Sequence, residues 1–297
     1  MFYIIKGDRA MKFVNFKVKD KVRLGIKCEK GIIDVKQAAY DYFIEVPTTI
    51  EQVIISGEKG KLQLKELMKK DVEILSEESI TYAPCIINPE KILCVGLNYL
   101  SHSKECNLEI PTSPVIFSKF NNSLAAHNQT IALPKDAEKF DYEAELVIVI
   151  GKEGTNISKA EAPSHIFGYT IGNDLSARDL QFRSGQWLLG KTCDGFAPIG
   201  PYLVSAEEID CNNLEISCRV NGTLRQQSNT SDMIFDCSTI ISYISQYMTL
   251  KPGDIIFTGT PSGVILGYKE QEQQWLEAGG EIVVAIENIG SLRNVLE

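Results

Sequence analysis

The sequence of 297 residues has no block rich in lysine and arginine, and no apolar run near the roughly 20 residues that a bilayer-spanning helix needs. With a formal net charge of -9, it is not expected to bind nucleic acid or an anionic membrane surface. Its eight cysteines include no C-x-x-C pair, which favours reduced thiols in a cytoplasmic protein. The first twelve residues carry four charged side chains, so we expect no signal peptide.

Apolar residues make up 44% of the chain, enough for the core of one main domain with a smaller one attached. Residues 11–36 alternate apolar and polar side chains with a period of two, as short antiparallel strands do. This pattern begins at Met11, so we interpret residues 1–10 as an extension or a mis-chosen start. Periodicity is lost between residues 79 and 89. We therefore predict a small N-terminal domain over residues 1–85 and a main domain over residues 86–297.

Two carboxylates, Glu143 and Glu145, stand one residue apart, and the aliphatic run Leu146–Ile150 follows at once. The run predicts a strand buried on both faces, and alternation along a strand points both carboxylates to one side. Like charges about 7 Å apart repel by about 2 to 3 kcal/mol at an effective dielectric near 20. A positive partner is therefore expected between them. The alternative is a strand end whose glutamates are solvated.

A second predicted strand, His165–Asp174, ends in a third carboxylate. No histidine or cysteine is interleaved with these acids, and an all-oxygen ligand set suits Mg²⁺ or Mn²⁺ better than Zn²⁺ or copper. We predict that Glu143, Glu145 and Asp174 bind one such ion. An ion held by few carboxylates keeps coordination positions open for water or substrate.

Three further segments offer candidate site residues. His102 and Glu105 lie three apart, a helical spacing at which the glutamate can orient the imidazole and raise its basicity. A solvated surface pair is the alternative. Lys119 ends a predicted strand and could point at a substrate. Gly259 and Thr260 follow another predicted strand, where backbone amides and a hydroxyl can hold a small anion; a plain turn is the alternative.

The segment Gly185–Thr192 matches the phosphate-binding pattern G-x-x-x-x-G-K-[ST]. Such a loop follows a buried strand and begins a helix, whereas this one follows polar residues and precedes Pro198 and Pro201. We interpret the match as accidental and expect no nucleotide binding. Lys191, inside the match, stays a candidate in a different role.

In order along the chain, these motifs resemble those of the fumarylacetoacetate hydrolase family over about residues 89–290. The resemblance implies an α+β, β-rich fold: a mixed β-sandwich roll with a small N-terminal α+β domain, usually dimeric. The motifs are Val95-Gly-Leu-Asn-Tyr-x-x-His102-x-x-Glu105, Asp141-Tyr-Glu-x-Glu145, Gly172-Asn-Asp174-Leu-Ser-Ala-Arg178-Asp-x-Gln181, Gly190-Lys191, Met233-Ile-Phe and Leu250-x-x-Gly-Asp-Ile-Ile-x-Thr-Gly-Thr-Pro-Ser-Gly263.

By this resemblance the three acids are the ligands of Mg²⁺ (or Mn²⁺), and His102 with Glu105 forms an acid/base dyad on a segment that orders over the substrate. The founding animal enzyme uses a fourth carboxylate as a ligand, and no acid occurs within Ser118–Ala126 to supply it. The chain therefore resembles the smaller, three-carboxylate branch. Positions that match substrate contacts or support for the metal shell are Arg178, Gln181, Thr260 and Lys191, and we count Lys191 among the catalytic residues.

The resemblance implies a Mg-dependent enzyme that cleaves a C–C bond in a small 2-oxo acid, with the metal stabilising an enolate. Acylpyruvate hydrolysis and oxaloacetate decarboxylation both fit. An isomerase of a 2-hydroxydienoate (2-hydroxyhepta-2,4-diene-1,7-dioate type) would use the same site, so the sequence does not choose among the three reactions. A non-catalytic binding protein that retains the fold is the alternative from another class. The expected partners are a small 2-oxo acid and a second copy of the chain, as a homodimer.

Overall fold

The computed structural model of the protein describes residues 11–105 and 109–297, without the side chains of residues 102–104. The extension predicted over residues 1–10 lies outside the described residues.

The structure is rich in strands, as predicted. The first strands are β1 (Lys12–Val18), β2 (Lys21–Cys28), β3 (Gly31–Asp34), β4 (Ile74–Leu75), β5 (Thr81–Ala83), β6 (Ile92–Gly96), β7 (Val115–Lys119), β8 (Leu124–Ala125), β9 (Thr130–Ile131) and β10 (Phe140–Asp141). The remaining strands are β11 (Ala144–Ile150), β12 (Ile166–Asn173), β13 (Ser176–Ala177), β14 (Ala197–Ser205), β15 (Glu215–Val220), β16 (Thr223–Asn229), β17 (Ile255–Phe257), β18 (Glu281–Ile286) and β19 (Gly290–Leu296). The α-helices are α1 (Val35–Asp41), α2 (Ile50–Met68), α3 (Leu100–Glu105), α4 (Arg178–Gln181), α5 (Leu188–Lys191) and α6 (Cys237–Ser245).

Two packed sheets form the body of the protein. The larger sheet has the order β4-β3-β2-β1-β14-β12-β11-β17-β6-β7, with β5 paired to β1 and β8 paired to β14. The second sheet has the order β16-β15-β18-β19-β9. Strands β11 and β12 pack against β15 and β18, and apolar side chains from both sheets form one continuous core. This is the mixed β-sandwich roll that the resemblance implies.

The N-terminal strands extend the larger sheet. The antiparallel strands predicted over residues 11–36 are confirmed as β1, β2 and β3, and β1 pairs with β14 with Lys12 opposite Val204. Helix α2 lies against the main body, where Lys61 forms an ion pair with Glu207. The division into two domains at residue 85 stays a prediction.

Pairing around β11 positions the acids. Every residue of β11 is buried, as the aliphatic run predicted. In the antiparallel register with β12, Ala144 lies opposite Asn173, so the next residues outward, Glu143 and Asp174, become neighbours. On the other edge Val147 lies opposite Phe257 of β17, which brings the residues that follow β17 towards Glu145. The acids therefore meet where three adjacent strands of one sheet begin or end.

Candidate functional site

The predicted acid cluster forms. Carboxylate oxygens of Glu143, Glu145 and Asp174 all lie within 4.8 Å of one another, and all three side chains are buried. Opposite oxygens in an octahedral Mg²⁺ shell, with bonds of about 2.1 Å, are about 4 Å apart. The oxygen donors and their spacing therefore fit a divalent ion with small side-chain adjustments.

A positive group was expected between Glu143 and Glu145. Lys191 is the positive partner of Glu143, but it bridges Glu143 to Asp174 and not to Glu145. Lys191 Nζ lies 2.7 Å from Glu143 Oε2 and 2.8 Å from Asp174 Oδ2. Burial lowers the pKa of Lys191, but the carboxylates of Asp174 and Glu143 outweigh burial and raise its pKa above the usual value. The lysine is thus a buried cation on the floor of the site.

Glu145 has a different environment. Its Oε2 accepts a hydrogen bond from Gly259 N at 2.6 Å. Burial, followed by the negative charges of Asp174 and Glu143, raises the pKa of Glu145 well above its ordinary range. Among the described residues, the site combines three cations, Lys119, Lys191 and Arg178, with the carboxylates of Asp141, Glu143, Glu145 and Asp174. When Glu145 is ionised, four carboxylates face three cations and one negative charge is left over, which a bound cation would neutralise.

Arg178 braces the cluster from the side. Its guanidinium donates to Asp141 Oδ2 at 2.9 Å, to Glu143 Oε1 at 2.7 Å and to Gln181 Oε1 at 2.9 Å. Burial lowers the pKa of Arg178, but the charges of Asp141 and Glu143 raise it further than burial lowers it. Asp141 is held in turn by the backbone N–H of Ile265 at 2.8 Å. Arg178 lines the cavity, but most of its donors are already used inside the protein.

Lys119 lies behind Asp174 and does not line the cavity, contrary to the predicted substrate contact. Its Nζ lies 2.6 Å from Asp174 Oδ1 and donates to the carbonyl oxygens of Leu175 at 3.2 Å and Phe196 at 2.7 Å, and also to that of Lys191. The side chain is inaccessible to solvent. Lys119 therefore fixes the position of Asp174 instead of reaching a substrate.

The loop after β17 supplies one hydroxyl and one glycine to the site. The backbone N–H of Gly259, which was predicted to bind an anion, instead donates to Glu145. Gly259 has a φ of 100°, and Asn98 lies too close to leave room for a Cβ, which explains why this residue is a glycine. Thr260 lines the cavity, and its contact with a substrate stays a prediction. Its Oγ1 accepts a hydrogen bond at 2.8 Å from Gln226 Nε2, and Gln226 Oε1 accepts one at 3.0 Å from Ala144 N. Gln226 was not predicted from the sequence, because its hydrogen-bond partners are remote in the chain. The feature that could have indicated it is its inward-facing position in β16.

Helix α3 carries the predicted dyad. The Oε2 atom of Glu105 accepts a hydrogen bond from Gly263 N at 2.8 Å. The side chain of His102 lies outside the described residues, so its contact with Glu105 stays a prediction. Just before the helix, fully buried Asn98 donates to Thr258 O at 2.7 Å and binds the backbone of Phe235 through both atoms of its amide.

A cavity of about 320 Å³ lies above the acid cluster, near the lower end of ligand pockets. Its outer wall is aromatic: Phe117 and Trp187 meet edge to face with ring centroids 5.4 Å apart. Trp187 also packs over Gly96, where a Cβ would lie 2.9 Å from the indole. The polar residues that line the cavity are Glu143, Glu145, Arg178, Gln181, Lys191 and Thr260.

The accidental phosphate-loop match has a structural role. Gly190 lies in α5, directly against the backbone of α4, and the next strand is β14. The segment thus does not connect a buried strand to a long helix as a nucleotide-binding loop does. It instead packs the helix that carries Lys191 against the helix that carries Arg178.

We predict that Gly190→Ala destabilises the protein by at least about 2 kcal/mol, because overpacking against backbone cannot be relieved by a rotamer change. A Cβ on Gly190 would lie 2.4 Å from Gln181 N and 2.5 Å from Ala177 O. Gly185→Ala in the same segment is the control: its Cβ would meet nothing within 4 Å, so we expect a change within about 0.5 kcal/mol. Urea unfolding measures both. Equal midpoints for the two variants would contradict the described packing of α5.

The family model described as "Fumarylacetoacetate (FAA) hydrolase C-terminal" matches residues 91–297. The chain belongs to the fumarylacetoacetate hydrolase family. It is 40% identical over 292 residues to "Oxaloacetate tautomerase fahd2, mitochondrial" of Xenopus laevis, covering 96% of this chain and 90% of that protein. It is 38% identical over 292 residues to "Oxaloacetate tautomerase FAHD2A, mitochondrial" of Homo sapiens, covering 97% and 92%.

Solved structures of the family share the fold. A fumarylacetoacetate hydrolase from psychrophilic Exiguobacterium antarcticum superposes with a TM-score of 0.85 at 34% identity, covering 97% of this chain and 99% of that one. A 2-hydroxyhepta-2,4-diene-1,7-dioate isomerase from Mycobacterium marinum superposes with a TM-score of 0.74 at 32% identity, covering 96% and 98%. These names describe hydrolase, tautomerase and isomerase enzymes, in agreement with the prediction that the chain belongs to a family of enzymes. The metal dependence and the hydrolase or decarboxylase type stay predictions.

The comparisons bear on the predicted compartment only in part. No helix within the described ranges is long and apolar enough to cross a membrane. The relatives from Xenopus laevis and Homo sapiens are named as mitochondrial proteins. The cytoplasmic location predicted for this family member therefore stays a prediction.

Proposed function

We propose that the protein catalyses keto–enol tautomerisation of a small anionic 2-oxo acid, with oxaloacetate as the first candidate. The observation that carries this proposal is the cluster of three buried carboxylates, Glu143, Glu145 and Asp174, of which Glu143 and Glu145 line a cavity of about 320 Å³. The relatives named as oxaloacetate tautomerases support the choice of substrate, since they match over almost the whole chain.

The three carboxylates would hold one Mg²⁺ or Mn²⁺. A bound divalent ion supplies Lewis acidity, which polarises a carbonyl oxygen and favours the enol form of a 2-oxo acid. Arg178 and Lys119 hold the Glu143 and Asp174 side chains in place through ion pairs of 2.7 and 2.6 Å. The ligand set is therefore preorganised by cations that lie beside and behind it.

The cavity wall offers hydrogen-bond donors to a substrate. The amide oxygen of Gln181 is occupied by Arg178, which leaves its NH₂ group for a ligand. The hydroxyl oxygen of Thr260 accepts from Gln226, which leaves its proton to donate. With the ammonium of Lys191, these donors suit an oxygen-rich anion. The aromatic pair of Phe117 and Trp187 shields this part of the cavity from water and limits the size of the substrate.

Tautomerisation also needs a group that moves a proton between carbon and oxygen. We assign this to the dyad of His102 and Glu105, since general acid–base catalysis requires a side chain that titrates near neutral pH. In the described geometry Glu105 is anchored at Gly263 beside the cavity loop. The role of His102 rests on the family resemblance.

The proposal is tested by following the loss of ultraviolet absorbance of enol-oxaloacetate with Mg²⁺, with Mn²⁺ and with EDTA. We expect fast ketonisation that EDTA abolishes. Gln181→Leu should raise KM, whereas Gln186→Leu on the exposed part of the same segment should match the parent. An uncatalysed rate in the presence of either metal would overturn the proposal.

A second candidate is isomerisation of a 2-hydroxydienoate, which the structural match to the Mycobacterium marinum isomerase favours. Both reactions move a proton on an enol of a 2-oxo acid, so both can use the same cavity. Acylpyruvate hydrolysis and oxaloacetate decarboxylation also fit the site, because in each the electron pair of the broken C–C bond goes into a pyruvate enolate, which a divalent ion would stabilise. Product analysis with oxaloacetate, acetylpyruvate and fumarylpyruvate in parallel distinguishes them, and the absence of turnover on every substrate would favour a binding protein.

We further propose a homodimer built through the main domain, on the family resemblance alone. Light scattering of the purified protein at micromolar concentration should give the mass of two chains. A mass of one chain would contradict it.

A further inference from the structure

The loop after β17 contacts helix α3 through two glycines. Glu105, the last residue of α3, directs its carboxylate into this loop, where Oε2 accepts a hydrogen bond of 2.8 Å from Gly263 N. Its Oε1 is buried and lies directly against Gly267, where a Cβ would come within 2.1 Å of it. The Cδ and Cγ atoms of Glu105 would lie 2.2 and 2.4 Å from the same Cβ. The carboxylate therefore fills the space that a side chain at position 267 would need.

The backbone does not explain why residue 267 is a glycine. Gly263 has a φ of 101°, and a Cβ there would lie 2.1 Å from Arg225 O, so the chain itself requires that glycine. Gly267 ends the short 3₁₀ helix Ile265–Gly267 and does not have a positive φ. The three atoms nearest to a Cβ at this position all belong to Glu105. The glycine at 267 thus makes room for the carboxylate of Glu105.

The loop that receives Glu105 is tied to the acid cluster. The carboxylate of Asp141 accepts hydrogen bonds from Ile265 N at 2.8 Å and from Leu266 N at 3.1 Å. The same carboxylate forms an ion pair of 2.7 Å with Arg178, which also binds the candidate metal ligand Glu143 at 2.7 Å. The contact point of Glu105 and the acid cluster therefore share one support, so the distance between them is fixed by buried groups.

Helix α3 lies at the rim of the candidate active-site cavity and is attached at both ends to the segment after β17. Leu97, which lines the cavity, precedes the helix by three residues. The side chain of Asn98 donates to Thr258 O at 2.7 Å and fixes the start of the helix. Glu105 fixes its end through Gly263. Loss of the second attachment would leave α3 held at its start alone.

We propose that Gly263 and Gly267 form a seat for the Glu105 carboxylate that holds α3 at the cavity rim, and that Gly267 is a positioning residue for the acid/base step. The role in catalysis rests on the proposed function, whereas the seat itself does not depend on any activity. A seated Glu105 has a fixed carboxylate with which to orient the imidazole of His102, as general acid–base catalysis requires.

The expected size of the effect follows from the geometry of the seat. With a Cβ at position 267, the Glu105 carboxylate must move by more than about 1 Å to regain ordinary van der Waals contact. A misplacement of about 1 Å in a catalytic constellation can cost about 10²-fold in rate. Because the displaced atoms are the end of a flexible side chain, Gly267→Ala should unseat Glu105 without unfolding the protein.

The first experiment needs no substrate: hydrogen exchange followed by mass spectrometry reports how readily the peptide that contains α3 opens. We expect Gly267→Ala to speed its exchange at least about tenfold, since a charged hydrogen bond of this kind is lost. Glu105→Ala should do the same. The double variant should exchange no faster than either single variant, because alanine at 105 leaves nothing for the new Cβ to displace.

Gly185→Ala is the matched control, because its Cβ would meet nothing within 4 Å, and it should exchange as the parent does. Urea unfolding verifies that each variant is folded. If Gly267→Ala does not fold, Glu105→Ala carries the same test. Parent-like exchange of α3 in either folded variant overturns the seat. Additive effects in the double variant overturn the claim that Gly267 acts on α3 through Glu105.

The second experiment measures turnover and depends on the proposed function. We expect Gly267→Ala to lower kcat for oxaloacetate tautomerisation about 10²-fold, with KM and Mn²⁺ affinity unchanged. In the Glu105→Ala background the same substitution should lower kcat no further. A second loss of equal size in that background, or an unchanged kcat beside faster exchange, overturns the positioning role. Absence of turnover in the parent would instead count against the proposed function and leave the exchange result valid.

Discussion

Asp174→Asn and Glu145→Gln are both expected to abolish metal-dependent turnover, yet to change the stability of the metal-free protein in opposite directions. Each removes one of three carboxylates that lie within 4.8 Å of one another. Loss of a ligand costs more than the 10- to 100-fold in affinity that is typical of second-shell changes, so we expect metal binding to weaken by more than about 100-fold. Calorimetric titration with Mn²⁺ and the oxaloacetate assay measure both losses.

The opposite effects on stability follow from the partners of each carboxylate. Asp174 forms ion pairs with Lys119 at 2.6 Å and with Lys191 at 2.8 Å, and all three side chains are buried. Removing one member of such a buried network costs about 3 to 5 kcal/mol. Glu145 lies next to two like charges, and glutamine keeps an oxygen that can accept the Gly259 N–H. Glu145→Gln should therefore leave the metal-free protein as stable as the parent or about 1 kcal/mol more stable.

Thermal unfolding in EDTA measures the difference between these variants. Glu153→Gln, at an exposed carboxylate beyond the far end of β11, is the control and should change neither metal binding nor stability. If Glu145→Gln binds Mn²⁺ as tightly as the parent, the ligand assignment is wrong. If both variants are destabilised equally, the described ion pairs do not account for the contribution of Asp174 to stability.

The sequence predicted the parts of the fold that local chemistry determines. The residues on either side of Asn221-Gly222 alternate apolar and polar, which predicts a hairpin, and both residues have the positive φ, 49° and 77°, that a two-residue turn between β15 and β16 requires. The sequence of residues 235–250 predicts an amphipathic helix with Asp236 as its N-cap, and the Asp236 side chain accepts a hydrogen bond from Thr239 N. That helix ends at Ser245, earlier than the predicted Leu250, because the segment after it turns back to pair with residue 154.

The last strand shows why some elements are hidden in a sequence. The sequence predicts a strand over residues 281–288 and after it only a short tail, yet Gly290–Leu296 form strand β19. Its inward positions are Leu292, Asn294 and Leu296, so a polar residue interrupts the apolar alternation that marks a strand. The Asn294 side chain donates to Ala126 O at 2.9 Å and to Gln129 O at 2.8 Å. These partners are more than 160 residues away in the chain, and no local pattern indicates them.

The candidate site also has a part that the sequence predicted and a part that it did not. The acids were predictable because strand alternation and the family motifs place Glu143, Glu145 and Asp174 together. The direction in which each cationic side chain points was not predictable, because it depends on packing against residues that are distant in the chain. Lys119 stands at a strand end as predicted, but its ammonium turns into the protein to reach Asp174 and three carbonyl oxygens.

Lys191→Met is expected to reduce turnover by about 10³-fold while it strengthens the binding of the divalent ion. Lys191 Nζ lies 2.7 Å from Glu143 and 2.8 Å from Asp174, so it neutralises two of the three candidate ligands. In the proposed reaction it also faces the anionic substrate, and loss of one preorganised charge of this kind costs about 10² to 10³ in rate. Methionine has a similar length but no charge, so the variant removes the cation without opening a large cavity.

The gain in metal affinity follows from electrostatics. An ammonium and a divalent ion that share carboxylate ligands repel each other by several kcal/mol at an effective dielectric near 20. Part of this is lost when the freed carboxylates relax, so we expect Mn²⁺ to bind at least about tenfold more tightly to Lys191→Met, or about 1.4 kcal/mol. Lys159→Met, at an exposed lysine, removes the same net charge and should leave affinity and turnover unchanged. Weaker Mn²⁺ binding by Lys191→Met would instead show that Lys191 holds the ligands in position, and unchanged turnover would remove it from the catalytic set.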